Sequence, residues 1–430
     1  MAEPAPAQAF LPARRAPLVY FAFAHACLFA ALALLACLPT TLGGFYYHPR
    51  LIAAVHLVTL GFLTSAVLGA LYLVCPLAFR LPLPERRLDL AAAISWMVGV
   101  IGVASHFWME EYSGMAWAGA MALLTPLWLG GRVLAGLRRA PVPLESRLPV
   151  SLAILNLYLA GALGLMLGAN KYQTAFLPFA QLDGVHAHLH LAAVGFLTLM
   201  VVGAGYRILP MVLPAAMPRG QLALASGLAI EAGVLGLAAA LTFAKPLVAP
   251  FALLTLAGLG LFLSRIAFML RNRRPPPSER PRPDWPVIHV LQAIAYLALT
   301  GAIGLALALL EPSEVTLRLA FVYGVCGLVG FLAQLVLGVE ARLLPLASWL
   351  HGFAAGGYRG LPPSQHTAIP NVVAATGVAL WTIGVPCLAT GLALDRPRWT
   401  SAGAGALALA VLVLATAGAR AVARLRRTPG

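Results

Sequence analysis

Three histidines within five residues, His186, His188 and His190, are the part of this sequence best suited to chemistry. They fall inside a long apolar run, where ionisable side chains are rare and usually functional. Neutral imidazole binds iron and copper well, and it can be buried without the cost of a permanent charge. On a helix His186 and His190 share a face and His188 points away, so the segment can serve two neighbouring metal or haem sites.

The apolar run that contains these histidines is present twice, 134 residues apart. His56 and His190 are each followed, five residues later, by the sequence Gly-Phe-Leu-Thr. A third and more divergent copy contains Gly330-Phe-Leu and has Val325 where the other two have histidine. Small residues repeated at this spacing would let a flat macrocycle or a neighbouring helix approach the backbone.

The composition predicts that an all-α, integral membrane fold must position these residues. Hydrophobic residues make up 61% of the chain and charged residues 10%, and the mean hydropathy is +0.87. Since about 20 apolar residues form a helix that crosses a bilayer, we expect twelve transmembrane helices. The predicted spans lie near 18–38, 50–75, 88–108, 113–137, 148–168, 185–212, 221–243, 246–270, 286–310, 316–345, 368–391 and 400–420.

The spans fall into three pseudo-equivalent groups of four, which predicts three repeats at residues 1–145, 146–275 and 276–430. The net charge of +15 comes from arginines concentrated in the termini and in the connections after even-numbered spans. The positive-inside rule therefore places both termini in the cytoplasm of a bacterial inner membrane, and the charge does not indicate a nucleic-acid partner. The longest polar interval, residues 271–284, is predicted to be a cytoplasmic linker.

A second metal site is predicted beside the histidine run. His106 and His48 fall at the same outer ends of the helices as His186, and these three are candidate ligands for copper or non-haem iron. The five cysteines are isolated in apolar spans, so any metal must depend on histidine. Glu110 and Glu111 follow His106 and are candidates for a mixed histidine and carboxylate iron site, or for solvated acids at a helix end.

Glu231 is the one ionisable residue of the seventh predicted span, about ten residues from its start. A carboxylate near the middle of the bilayer is costly, so we expect it to be neutral or paired. It is either a proton-relay group or a protonated side chain that is hydrogen-bonded to a neighbouring helix. The remaining histidines, His25, His289, His351 and His366, are given no role.

The chain resembles the main subunit of the haem–copper oxidase and nitric oxide reductase superfamily in its twelve predicted spans and in its histidines. His188-Leu-His190 is similar to the family's His-x-His segment, and His56 matches the ligand of the low-spin haem on the second helix. The family's segment lies on the tenth helix, where this chain has Tyr323-Gly-Val325, and its pair of histidines on the seventh helix is missing. A weaker resemblance is to the NnrS-type haem and copper membrane proteins.

The resemblance implies that His56, His188 and His190 hold haem b, that nitric oxide or oxygen is bound or reduced, and that a periplasmic donor such as a cytochrome c supplies electrons. An oxidoreductase of the nitric oxide reductase or terminal oxidase kind is one class that these residues suggest. The alternative is a membrane carrier or accessory protein for copper, haem or the nitric oxide response, since repeats and a buried carboxylate are also typical of transporters.

Overall fold

The computed structural model describes residues 10–172, 176–359 and 361–426, and its regular structure is α-helical. Across those residues there is no β-strand, and one isolated bridge joins Ala215 and Arg273. In a lipid core each backbone N–H and C=O group needs a partner inside the protein, and a helix supplies these partners within a single segment. The predicted all-α class is confirmed.

Twelve helices in the described part of the chain are long and apolar enough to cross a membrane, as the hydropathy predicted. Helix 10 continues to Ala355 instead of ending near residue 345. In chain order, helices 1 to 12 are Ala16–Cys37, Pro49–Phe79, Arg87–Met109, Met115–Leu137, Leu144–Tyr172, Gln181–Val212, Gln221–Phe243, Lys245–Arg271, Trp285–Leu309, Glu314–Ala355, Asn371–Ala393 and Pro397–Leu425.

Both ends of the described chain meet at one face of the bundle. The guanidinium group of Arg426 donates a hydrogen bond to the backbone oxygen of Arg14 at 3.1 Å, and helix 12 packs along helix 1. We call this the terminal face. The opposite face is the histidine face, because His56 and the segment 186–190 lie in the first turns of helices 2 and 6, which begin there.

Helices 2, 6 and 10 each contain a π-helical segment. The first residues of these segments, 57, 191 and 325, are spaced by 134 residues, which is the spacing of the sequence repeat. A π turn closes its hydrogen bond over five residues instead of four, and such turns are frequent at functional sites. The three segments are Leu57–Thr64, Leu191–Thr198 and Val325–Ala333.

A threonine at the same position of the repeat closes the wide turn in helix 2 and in helix 6. The hydroxyl group of Thr64 donates to the backbone oxygen of Thr59 at 2.9 Å, and that of Thr198 donates to the backbone oxygen of Ala193 at 2.8 Å. Each bond spans five residues, so the threonine satisfies a carbonyl group within the widened turn. The Gly-Phe-Leu-Thr motif therefore includes a residue with a local structural role.

The repeated glycines admit the helix that precedes each π-containing helix in the chain. A Cβ atom at Gly61 would lie 2.5 Å from the Cβ atom of Cys27 in helix 1. At Gly195 it would lie 2.9 Å from a side-chain carbon of Asn156 in helix 5, and at Gly330 it would lie 2.7 Å from the ring of Tyr296 in helix 9. A larger residue at any of the three positions would push the two helices apart.

Helices 2, 6 and 10 form the centre of the bundle. The π segment of helix 10 contacts those of helices 2 and 6, and residues 65–79 of helix 2 pack against residues 199–212 of helix 6. This last contact lies on the terminal-face side of the π segments. The histidines lie beyond the π segments, on the other side.

Candidate functional site

His56 is held in one orientation at the histidine face. Its Nδ1 atom donates to the backbone oxygen of Ile52 one turn earlier at 2.9 Å. Its ring stacks on Phe107 of helix 3, with the ring centres 5.0 Å apart and the planes 18° from parallel. Because a carbonyl oxygen can only accept, the ring hydrogen is on Nδ1, and Nε2 keeps its lone pair. Within the described residues Nε2 has no hydrogen-bond partner.

His190 repeats this arrangement in helix 6. Its Nδ1 atom donates to the backbone oxygen of His186, again four residues earlier, at 2.8 Å. The ring lies beside Tyr323 of helix 10, with a centre-to-centre distance of 6.4 Å. Both His56 and His190 immediately precede a π segment, so the two rings leave their helices at matching positions.

His188 points to a different neighbour, helix 5. Its Nδ1 atom donates to the backbone oxygen of Ala160 at 2.9 Å. The ring lies against the backbone of Gly164, where a Cβ atom would come within 2.7 Å of Cε1. The glycine therefore makes room for the ring, and Nε2 is again the nitrogen that is free to bind a metal.

His188 and His190 turn to different neighbours of helix 6. The ring of His190 lies towards helix 10, and that of His188 lies towards helix 5. His188 and His190 therefore project from helix 6 in different directions, as their spacing on a helix indicated.

The three residues that were considered for a second metal make separate contacts. The Nε2 atom of His186 lies 3.4 Å from the Tyr46 hydroxyl oxygen. His106 donates from Nδ1 to the backbone oxygen of Glu111 at 2.6 Å. His48 occupies the N-cap position of helix 2 without a side-chain capping bond, and its Nδ1 atom is buried and unpaired. Among the described residues, no three histidine, cysteine, aspartate or glutamate side chains converge as a ligand set. The second metal stays a prediction.

Glu110 and Glu111 lie exposed at the histidine face. A carboxylate oxygen of Glu110 lies 3.7 Å from Nε of Arg50, and Glu111 accepts a hydrogen bond from the backbone N–H of Ser113 at 2.9 Å. The hydrogen bonds from Ser113 lower the pKa of Glu111, and burial together with the charge of Glu110 raises the pKa of the Tyr112 hydroxyl. The choice between an iron site and solvated acids stays a prediction.

Glu231 of helix 7 is paired with a neighbouring helix. One of its carboxyl oxygens accepts a hydrogen bond from the side-chain amide of Asn156 at 2.6 Å. The same amide nitrogen donates to the backbone oxygen of Leu152 at 3.1 Å, which fixes its direction. Asn156 is fully buried against Gly195, so this pair joins helices 5 and 7 beside the π segment of helix 6. A role as a proton relay stays a prediction.

One buried ionisable pair was missed by the sequence analysis. The Nε2 atom of His25 in helix 1 lies 3.5 Å from a carboxylate oxygen of Glu340 in helix 10, and 13% and 11% of the two side chains are exposed. The His25 ring also meets Phe62, in the π segment of helix 2, edge-on at 5.9 Å between ring centres. The sequence did contain a signal for this pair, because Glu340 is an acidic residue within the apolar run of helix 10.

The chain was compared with known proteins. No protein-family model matches the sequence, and no curated protein matches it significantly.

Proposed function

We propose that the chain is a b-type haem protein of the membrane, in which His56, His188 and His190 would hold the haem iron. The observation that carries the proposal is common to all three rings: each Nδ1 donates to a backbone carbonyl group, and each Nε2 has no partner within the described residues. Histidines that bind metals almost always donate their other ring N–H in this way, which fixes both tautomer and orientation.

The histidine nitrogens fit non-covalent haem, which needs one or two such donors. Haem iron would supply one-electron chemistry and a site for a small gas. We propose His56 and His188 as ligands of one haem, because the His190 ring lies beside Tyr323 of helix 10 and can serve a second position. Phe107 and Gly164 would keep the first two rings in place.

The proposal includes a divergent relationship to the haem–copper oxidase and nitric oxide reductase superfamily. It is supported by the repeated placement of a histidine directly before a π segment in helices 2 and 6, and by the third π segment in helix 10. The equal spacing of these segments also supports three repeats of four helices. We propose nitric oxide or oxygen as the ligand, a periplasmic electron donor at the histidine face, and cytoplasmic termini in a bacterial inner membrane.

A visible spectrum of the purified protein tests the haem proposal. Expression with ample haem should give a Soret band, a positive pyridine haemochromogen assay and iron by elemental analysis, and dithionite followed by nitric oxide should shift the spectrum. His56→Ala and His188→Ala should each abolish a low-spin signal if the two residues share one iron. His351→Ala, at the terminal end of helix 10, is the control and should leave the spectrum unchanged. A protein without iron and without a Soret band would refute the proposal.

A carrier for copper, haem or a related solute is the second candidate. It is favoured by the carboxyl groups of Glu231 and Glu340, which face the interior of the bundle, since buried acids mark ion and substrate pathways in transporters. A carrier would move labelled copper or haem into vesicles and would show no reversible reduction. A haem enzyme or gas sensor would show the opposite pattern.

A further inference from the structure

A cavity of about 60 Å³ lies at the terminal face, on the other side of the bundle from the histidine face. Its outer walls are the end of the linker before helix 9 and the loop before helix 11, where Pro283 and Asn371 are exposed. Its inner walls include His25 of helix 1 and Glu340 of helix 10. At 1.5 Å per residue, His25 lies about 14 Å from the start of its helix at Ala16. The cavity therefore leads from the terminal face to the buried pair of His25 and Glu340.

The two side chains of this pair face each other without a close hydrogen bond. Nδ1 of His25 donates to the backbone oxygen of Phe21 at 2.8 Å, so Nε2 is the nitrogen that faces the carboxyl group of Glu340. Nε2 lies 3.5 Å from Oε2, and Oε2 is buried without a hydrogen-bond partner within the described residues. Charge-assisted hydrogen bonds between nitrogen and oxygen are about 2.7–2.9 Å long, so this separation is too long for a strong ion pair.

The arginines of this region are matched to another acid. Arg342 forms an ion pair with Asp284, and Nη1 of Arg280 lies 3.7 Å from the other oxygen of the same carboxylate. The remaining titratable groups on the cavity walls are His289 of helix 9 and His366 of the loop. An ionised Glu340 would therefore be a poorly compensated charge inside the bundle, which favours a bound proton.

Unpaired donors and unpaired acceptors line this one cavity. Within the described residues, the indole nitrogen of Trp285 and Nε of Arg342 are buried without an acceptor, and Oε1 of Gln365 is buried without a donor. His289, with 4% of its surface exposed, has no partner for either ring nitrogen. A water molecule both donates and accepts, so it can satisfy such a mixture. At about 10–15 Å³ for each molecule, the cavity has room for about four to six water molecules.

We propose that His25 and Glu340 form a proton-binding site, which exchanges protons with the terminal face through water molecules in this cavity. A hydronium ion at the inner end transfers its proton to the carboxylate of Glu340, which forms an O–H bond and leaves a water molecule. The acid then donates from Oε2 towards the lone pair on Nε2 of His25. This neutral form avoids burying two charges that are too far apart for a strong hydrogen bond. The site lies away from the histidine face, so its test needs no bound haem.

Infrared spectroscopy of the purified full-length protein in detergent detects the proton on Glu340. We expect a carboxylic acid C=O band at neutral pH that is lost in Glu340→Gln and that shifts when H₂O is exchanged for D₂O. Glu314→Gln is the control and should keep the band, because Glu314 forms an exposed ion pair with Arg318 at the other end of helix 10. His25→Phe keeps the carboxyl group but removes its acceptor, so it should move the band, and it tests the site even if Glu340→Gln does not fold.

A glycine on the cavity wall tests the water path separately. Gly418 of helix 12 lines the cavity, and its Cβ position has no neighbouring atom within 4 Å. Gly418→Leu should fill part of the cavity and slow the deuterium shift of the Glu340 band by about tenfold or more, since the loss of one hydrogen-bonded link is enough for that factor.

Gly405→Leu is the matched control, because Gly405 lies on the same helix with an equally open Cβ position and does not line the cavity. It should leave the exchange rate unchanged. The proposal is overturned if the wild type and Glu340→Gln have the same acid bands, or if His25→Phe leaves the band in place. It is also overturned if D₂O does not shift the band, or if Gly418→Leu exchanges as fast as Gly405→Leu.

Discussion

Replacing Gly164 with alanine tests whether the hydrogen bond of His188 positions its ring for a metal. The new Cβ atom would lie 2.7 Å from Cε1 of the imidazole, whereas carbon atoms in contact lie about 3.5–4.0 Å apart. The ring must therefore move by about 1 Å. The Nδ1 atom now lies 2.9 Å from the backbone oxygen of Ala160. A shift of about 1 Å away from that oxygen would break the hydrogen bond.

Loss of such an orienting contact typically weakens metal binding about 10–100-fold. On the proposed haem function, we therefore expect Gly164→Ala to lower the affinity for haem by that factor. The overpacking would also cost about 1–3 kcal/mol, against a gain of about 0.5–1 kcal/mol from replacing glycine in a helix. The assay is transfer of haem from each purified variant to an apo-globin, followed by thermal unfolding of the apoprotein.

Gly131→Ala in helix 4 is the matched control, because no heavy atom lies within 4 Å of its Cβ position. This variant should keep its haem affinity and should gain slightly in stability. If Gly164→Ala held haem as tightly as Gly131→Ala did, the contact with Ala160 would not position the ligand.

Three further predictions concern packing and charge. Asn156→Leu leaves the Glu231 carboxyl group without its donor and should reduce the free energy of unfolding by about 1–3 kcal/mol, measured by calorimetry in detergent. Gly203→Val should lower Tm in the same assay, because a Cβ atom there would lie 2.8 Å from the backbone of helix 5. Burial and the charge of Arg342 lower the pKa of His366 in the fold, so the unfolded chain binds this proton more readily. The stability contributed by this ring is therefore present above the unfolded pKa of about 6.5 and declines as the pH falls, and Arg342→Gln should raise the pKa of His366 in an NMR titration.

The sequence was sufficient to predict the spans, because bilayer thickness imposes a length on every apolar helix. It also indicated that a flat macrocycle or a neighbouring helix would approach Gly61 and Gly195, and in the structure the preceding helix packs there. The wide turns after His56 and His190 were not predictable. A hydrogen bond that shifts from the fourth to the fifth residue leaves no trace in hydropathy or residue type.

The hydrogen-bond and ion-pair partners of the individual side chains could not be predicted from the sequence either. His188 bonds to helix 5 and not to its own helix, which depends on the rotation of both helices. The pair of His25 and Glu340 joins the first and tenth helices, and no periodic pattern relates two such distant positions. Similarly, Arg280 was expected only to mark a cytoplasmic linker, but folding carries it back against helix 6.

In helices 2, 6 and 10, the π segment joins two α-helical parts and fixes the rotation of one part relative to the other about the helix axis. A residue of an α-helix turns the chain by about 100°, so an additional residue within the wide turn changes the azimuth of everything beyond it. On the terminal side of each segment, close glycine contacts hold the α-helical part in place. On the histidine side of the segment, the direction in which His56 or His190 projects around the helix axis depends on how many residues the wide turn contains. Deleting one residue from the wide turn would therefore redirect the imidazole of His56 or His190, although none of the residues around that ring would have been substituted.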